Sequence, residues 1–180
     1  DACAPHCAPL KAIRLVDDTG RFLKAPEVTF HASEAGLEAF GYNVPNGILL
    51  DALMARAAAA EGLTLLTTQG ARSIVAGRDQ VCVTLAEGET VSAPLVVAAD
   101  GRTSPTREAA GITVTTWSYP QTAVVTWFTH QRDHDGISTE FHRPVGPFTT
   151  VPMPGRASRL VWVEEPGEAQ RLVALGGAEL

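Results

Sequence analysis

No two of the 16 glycines stand two apart, so these 180 residues contain no GxG step. That excludes the GxGxxG loop, in which glycines let a pyrophosphate reach the backbone at a helix N-terminus. HExxH and GxSxG are also missing, which removes the common zinc-protease motif and the nucleophile elbow of the α/β-hydrolases. Cysteine is scarce: Cys3, Cys7 and Cys82 are the only three. Cys3 and Cys7 flank His6, but their spacing is not that of a zinc knuckle and no second ligand pair stands near, so no metal site is expected. Cys82, between Val81 and Val83, reads as a small core residue of a strand. His130 and His134 are four apart, yet Asp133, Asp135 and Gly136 mark a turn, and the pair reads as a solvated loop.

Positive charge is in the minority, with 14 Lys and Arg against 20 Asp and Glu and a formal charge of -6. There is no basic cluster, so neither a nucleic-acid partner nor an anionic lipid patch is expected. No apolar stretch approaches the roughly 20 residues of a membrane span, and the N-terminus lacks the layout of a signal peptide. The expectation is a cytoplasmic globular protein with no transmembrane segment. Its 45% hydrophobic and 19% charged content is ordinary for such a chain.

Against these absences one segment stands out. The run Leu95-Val96-Val97-Ala98-Ala99 ends abruptly in Asp100-Gly101-Arg102-Thr103-Ser104-Pro105-Thr106-Arg107. A short apolar run bounded by turn residues predicts a strand buried on both faces, and in open α/β sheets ligands gather at the carboxyl ends of such strands. Gly101 lets a ligand approach the backbone, Ser104 can cap a helix opening at Pro105, and Arg107 can meet a phosphate bidentately. The same spacing also serves a plain turn followed by a helix cap.

The segment resembles the Asp-Gly motif, DGxxSxxR, of the single-component FAD-dependent aromatic hydroxylases. The likeness extends through Phe40-Gly41-Tyr42-Asn43-Val44-Pro45-Asn46 and the helix after it, Gly111-Ile112, and Phe141-His142-Arg143-Pro144-Val145-Gly146-Pro147-Phe148 leading to Val151-Pro152. That order is similar to the ubiquinone-biosynthesis hydroxylase branch, octaprenyl-methoxyphenol hydroxylase-like. With no GxGxxG loop and no later Gly-Asp motif, and with Asp1 rather than Met at its start, the chain is expected to be an internal fragment.

The fold class implied is α/β (α+β): part of an FAD-binding parallel sheet with an antiparallel meander, plus a mixed or antiparallel substrate-domain sheet. Expected boundaries are a substrate-side segment at 1–45, part of the FAD domain at 46–112 and part of the substrate domain at 113–180. Ile13 to Asp17 and Arg21 to Lys24 around Asp18-Thr19-Gly20 predict a hairpin, extended by Val28 to Phe30. Apolar residues at helical spacing predict a helix from Ile48 to Ala60 with Asn46 as its cap. A strand is expected at Leu63 to Thr67, a meander at Ser73 to Ala76, Val81 to Leu85 and Thr90 to Ser92, and a short helix ending near Gly111. Further strands are expected at Thr122 to Phe128, Thr139 to His142, Phe148 to Val151 and Arg159 to Val163, with Trp127, Phe141 and Trp162 packed in the core. Gly146-Pro147 interrupts this strand region in a way that packing does not require.

The resemblance implies an enzyme in which NADPH or NADH reduces FAD and one atom of molecular oxygen passes to a phenolic ring. The substrate class is a small aromatic, polyprenylated in the ubiquinone case. Asn46, Asp100, Gly101, Ser104 and Arg107 would hold the cofactor, and Gly146 and Pro147 would lie near the flavin ring and substrate. No catalytic acid or base is assigned, because the cofactor carries the chemistry. Partner proteins of ubiquinone synthesis, and attachment at the periphery of the inner membrane, are further implications. Three alternatives stay open: a non-catalytic binding or scaffold module derived from a flavoprotein, a flavin hydroxylase of other small aromatics, and a related flavin halogenase or reductase.

Overall fold

The computed structural model describes residues 2–177. In chain order the elements are β1 (Ala8–Leu10), β2 (Ala12–Asp17), β3 (Val28–His31), β4 (Gly41–Asn43), α1 (Asn46–Ala58), β5 (Ala71–Ala76), β6 (Val81–Leu85), β7 (Thr90–Ala93), α2 (Pro105–Ala109), β8 (Thr122–Thr129), β9 (Ile137–His142), β10 (Phe148–Met153), β11 (Ala157–Glu164) and α3 (Pro166–Ala174). Contacts gather them into two compact units. One holds the described residues up to Ala59 and from Tyr119 onward; the other is Ala60–Ser118. The contact boundary thus follows α1, whereas the sequence placed a boundary before it.

The first unit is built on a six-stranded sheet in the order β3-β2-β9-β10-β11-β8. All its pairs are antiparallel except β2 with β9, which run parallel from Ala12 beside Ile137 to Asp17 beside His142. β1 and β4 form a separate antiparallel pair. The second unit carries the antiparallel meander β5-β6-β7. Several sheets with flanking helices make this a mixed α/β fold, as the sequence implied.

The core of the first unit sits under α3, a helix the sequence reading missed. Pro166 is preset for the first helical turn, Glu168 follows it there, and Ala169 and Leu172 fall on one face at a spacing of three. That face buries itself against Val124 of β8, with Trp162 and Leu175 packed at its margin. Burying Leu172 is worth about 1.5–3 kcal/mol.

Several expectations are corrected. Leu63 to Thr67 and Leu95 to Ala99 join no ladder among the described residues, and Leu95 and Val97 are 76% and 78% exposed rather than buried on two faces. A strand exists through its neighbour's hydrogen bonds, and no described segment pairs with either run. Trp127 is also outside the core, being exposed on the edge strand β8, whereas Trp162 is half-buried.

His134 is more than a solvated loop residue. The Gly136 amide donates to its Nδ1 at 3.0 Å, which leaves the proton on Nε2, donated to the Met153 carbonyl at 2.9 Å.

Arg21 to Lys24 is a loop, and β2 pairs instead with β3. The cause is Asp17, whose carboxylate takes the Thr19 amide at 3.0 Å, the Thr19 hydroxyl at 2.6 Å and the Ala25 amide at 2.8 Å. These donors, the Thr19 hydroxyl first, lower the Asp17 carboxyl from 3.8 to about 2. Because the folded value is the depressed one, the clasp contributes stability above the ordinary carboxylate range and loses it as pH falls through about 2. In an NMR titration the Thr19 and Ala25 amide shifts should turn near pH 2, and Asp17→Asn should abolish that step; a midpoint near 3.8 would show the clasp to be open in solution.

Candidate functional site

The loop after Ala99 is closed by its own side chains. Ser104 is 4% exposed and caps α2, its Oγ accepting the Arg107 amide at 3.0 Å. This follows from local chemistry: a hydroxyl satisfies an orphan N–H of the first turn, and Pro105 has no N–H to satisfy. Asp100 Oδ2 accepts the Thr106 amide at 3.0 Å, reaching across the loop onto the same turn. The Asp100 carboxyl is held far below its usual range, chiefly by the Ser104 hydroxyl, then by the hydroxyl and amide of Thr106. It is therefore an anion at any physiological pH. Arg107 turns back, Nη2 donating to the Arg102 carbonyl at 2.9 Å.

Gly101 has φ +92, and a Cβ there would meet nothing within 4 Å. The backbone needs glycine for its left-handed conformation, and the space over it is open. Asp100, Gly101, Ser104 and Arg107 line one hollow of about 410 Å³ together with Val96, Thr106 and others. The four residues singled out by sequence here do converge, and Thr106, overlooked, contributes the two donors beside Ser104 that fix the carboxylate. Its signal was its place just after a Ser-Pro cap, within reach of an Asp six residues back.

The other sequence-chosen residues, Asn46, Gly146 and Pro147, belong to the first unit. Asn46 is exposed and is the first residue of α1, with no side-chain cap bond; the cap position is taken by Pro45. The capping role expected of Asn46 is therefore corrected, since Asn46 is already the first residue inside the helix. Pro45 and Ile48 border a hollow with Met153, Pro154 and Ala157, at the far end of β10 from Gly146 and Pro147. The structure thus does not bring Asn46 and Gly146-Pro147 together.

Gly146 is buried, and a Cβ on it would stand 2.5 Å from Val163 Cγ1 and 2.8 Å from Val163 Cβ. Packing does require glycine here, against expectation, because the β9–β10 connection lies flat on β11. The Val163 amide donates to the Pro147 carbonyl at 2.9 Å, and Gln121 Nε2 donates to the Val145 carbonyl.

Beside this connection is a polar cluster that sequence reasoning did not find. Arg143 Nη2 donates to Glu164 Oε1 at 2.6 Å and to the Val163 carbonyl at 3.1 Å. The Trp162 indole N–H donates to the same Glu164 oxygen at 2.8 Å. Arg143 lies 5.8 and 5.6 Å from the ring centroids of Phe148 and Trp162, a range in which a cation is attracted to the ring face. The indole, and after it the guanidinium, hold Glu164 below the usual glutamate range despite its burial.

A family model described as an FAD binding domain matches residues 38–172. Ubiquinone hydroxylase UbiL of Rhodospirillum rubrum is 39% identical over 175 residues, covering 97% of this chain and 40% of that protein. The 3-demethoxyubiquinol 3-hydroxylase of Escherichia coli is 30% identical over 153 residues, covering 85% and 39%. The chain thus spans about two fifths of the length of these relatives. Among solved structures, PqsL from Pseudomonas aeruginosa, a probable FAD-dependent monooxygenase, superposes with a TM-score of 0.76 at 20% identity, over 96% of this chain and 47% of that one.

Proposed function

Since the chain belongs to the FAD-binding-domain family, we propose that it is part of an FAD-dependent, NAD(P)H-using monooxygenase that hydroxylates a phenolic ring, an intermediate of ubiquinone biosynthesis. The observation that carries this reading is the closed Asp100 loop on a chain matched almost end to end by a ubiquinone hydroxylase.

The residues present fit an FAD. Asp100 is an anion with a fixed orientation, suited to accept from ribose hydroxyls. Gly101 leaves its backbone open to close approach, and Arg107 brings a positive charge to the same hollow. Ser104 acts on the loop, holding α2 in place by its cap. Asn46, at the head of α1, is proposed as a flavin-side residue, and Gly146 and Pro147 are proposed to border the flavin ring and the substrate. When bound, FAD would take electrons from NADPH or NADH and activate molecular oxygen, one atom of which goes to the ring and the other to water. The chain's own task is to orient cofactor and ring and to exclude water, which needs rigid walls more than a titrating side chain.

In this reading residues 46–112 belong to the FAD-binding domain, and 1–45 and 113–180 to the substrate side. The proposed substrate is a small aromatic, polyprenylated in the ubiquinone case, met at the periphery of the inner membrane in company with other proteins of the pathway. No helix among the described residues is long and apolar enough to cross a membrane.

The test is the visible spectrum of the full-length protein that carries this chain. Flavin bands that bleach with NADPH or NADH under nitrogen, and return in air with hydroxylated phenol formed, are expected. A colourless protein that FAD cannot reconstitute would overturn the proposal.

A further inference from the structure

The Arg143–Glu164 pair is costly where it stands. Its side chains are only 23% and 12% exposed, and Arg143 Nε is buried without a hydrogen-bond partner. Burying two charges is repaid only when every donor and acceptor is satisfied, so a pair with an orphan donor is a poor stabiliser of the fold. Its geometry shows what it does instead. Arg143 opens the β9–β10 connection, and Glu164 closes β11, 21 residues later. The guanidinium bonds the carboxylate and the Val163 carbonyl, while the amide of the same residue, Val163, donates to the Pro147 carbonyl. The indole of Trp162 fixes the carboxylate in turn, and the Phe148 ring, 5.3 Å from that of Trp162, covers the guanidinium. The five-residue connection is thereby pinned at both ends on one strand.

We propose that Arg143 and Glu164 are positioning residues, a buried clamp that sets where Gly146 and Pro147 stand. This rests on the reading above that the Gly146-Pro147 segment borders flavin and substrate. The clamp acts through backbone placement and touches neither. Its consequence is selective: a loosened clamp lets water in and misplaces the ring, so the two electrons of NAD(P)H pass to molecular oxygen and leave as hydrogen peroxide without hydroxylation, while nucleotide binding is untouched.

The experiment compares the full-length protein with Glu164→Gln and with the double variant Arg143→Met/Glu164→Met, which removes both charges and so guards against a misfolded single mutant. Amide exchange is read first. The Val163 amide should exchange at least tenfold faster in both variants, with Thr150 and Leu160 inside the same sheet unchanged. Product formed per NAD(P)H consumed should fall about threefold or more, with the KM for NAD(P)H and the flavin content unaltered. Unchanged exchange at Val163 in the folded double variant overturns the clamp. Faster exchange with full coupling retained overturns the positioning role and leaves a structural pair. A wild-type protein that holds no FAD overturns the proposed function, and with it this role; that failure is told apart because it is seen before any substitution is made.

Discussion

Gly146→Ala should lower the stability of the protein by about 1–3 kcal/mol, the usual cost of forcing a methyl into a packed site. The added Cβ would lie 2.5 Å from Val163 Cγ1 and 2.8 Å from Val163 Cβ, well inside van der Waals contact. Neither side can easily yield. Val163 is fixed in β11 opposite Ala123 of β8, and its amide is engaged with the Pro147 carbonyl. On the other side the Val145 carbonyl is held by Gln121. Urea unfolding of the full-length protein reads the loss as a shifted midpoint at unchanged slope. In a Val163→Ala background the nearer methyl is gone, and the same substitution should cost about 1 kcal/mol less, a coupling of the size expected for residues in contact. Equal costs in both backgrounds would show that Gly146 does not rest on Val163.

The glycine also shows how far the sequence could be read. That Gly146-Pro147 ends one strand and precedes another was visible, because glycine and proline punctuate alternating runs. That Gly146 is needed for packing was not, since the clash is with a residue 17 positions away, brought there by register alone. The same division runs through the fold. The meander β5-β6-β7 was legible because apolar alternation and the Gly-Arg-Asp and Glu-Gly-Glu turns are local signals. Leu63 to Thr67 and Leu95 to Ala99 read as strands from composition, but a ladder depends on a neighbour that composition does not name. Arg21 to Lys24 looked like the return arm of a hairpin until one carboxylate, Asp17, bound both ends of a wider loop. At the site, Ser104 was legible as a cap and Gly101 as a turn, both properties of residues beside them in the chain. Arg143 and Glu164 carried no sign of each other; their meeting follows from the strand order β9-β10-β11.

Asp100→Ala should raise the FAD dissociation constant of the full-length protein about tenfold to a hundredfold. The magnitude is that of one hydrogen bond to a charged group, about 1.5–3 kcal/mol, at 1.4 kcal/mol per factor of ten. On the proposed function two losses would combine in it: an acceptor for the cofactor's hydroxyls, and the brace by which Asp100 Oδ2 accepts the Thr106 amide beside the Ser104 cap. They can be separated. Asp100→Asn keeps an oxygen for the Thr106 amide but no charge, so it should weaken FAD by less than alanine does. Thr106→Val removes the hydroxyl while leaving the amide, and should have the smallest effect of the three, since one donor to the carboxylate survives on that residue. The carboxyl's depressed titration adds a condition. Its folded value lies far below 3.8, so its contribution is complete above the ordinary carboxylate range and is lost only as pH falls through that low folded value. Cofactor affinity between pH 5 and pH 8 should therefore show no step from this residue, and a wild-type affinity in Asp100→Ala, measured by quenching of FAD fluorescence on binding, would return the loop to a turn and a helix cap with no part in holding the flavin.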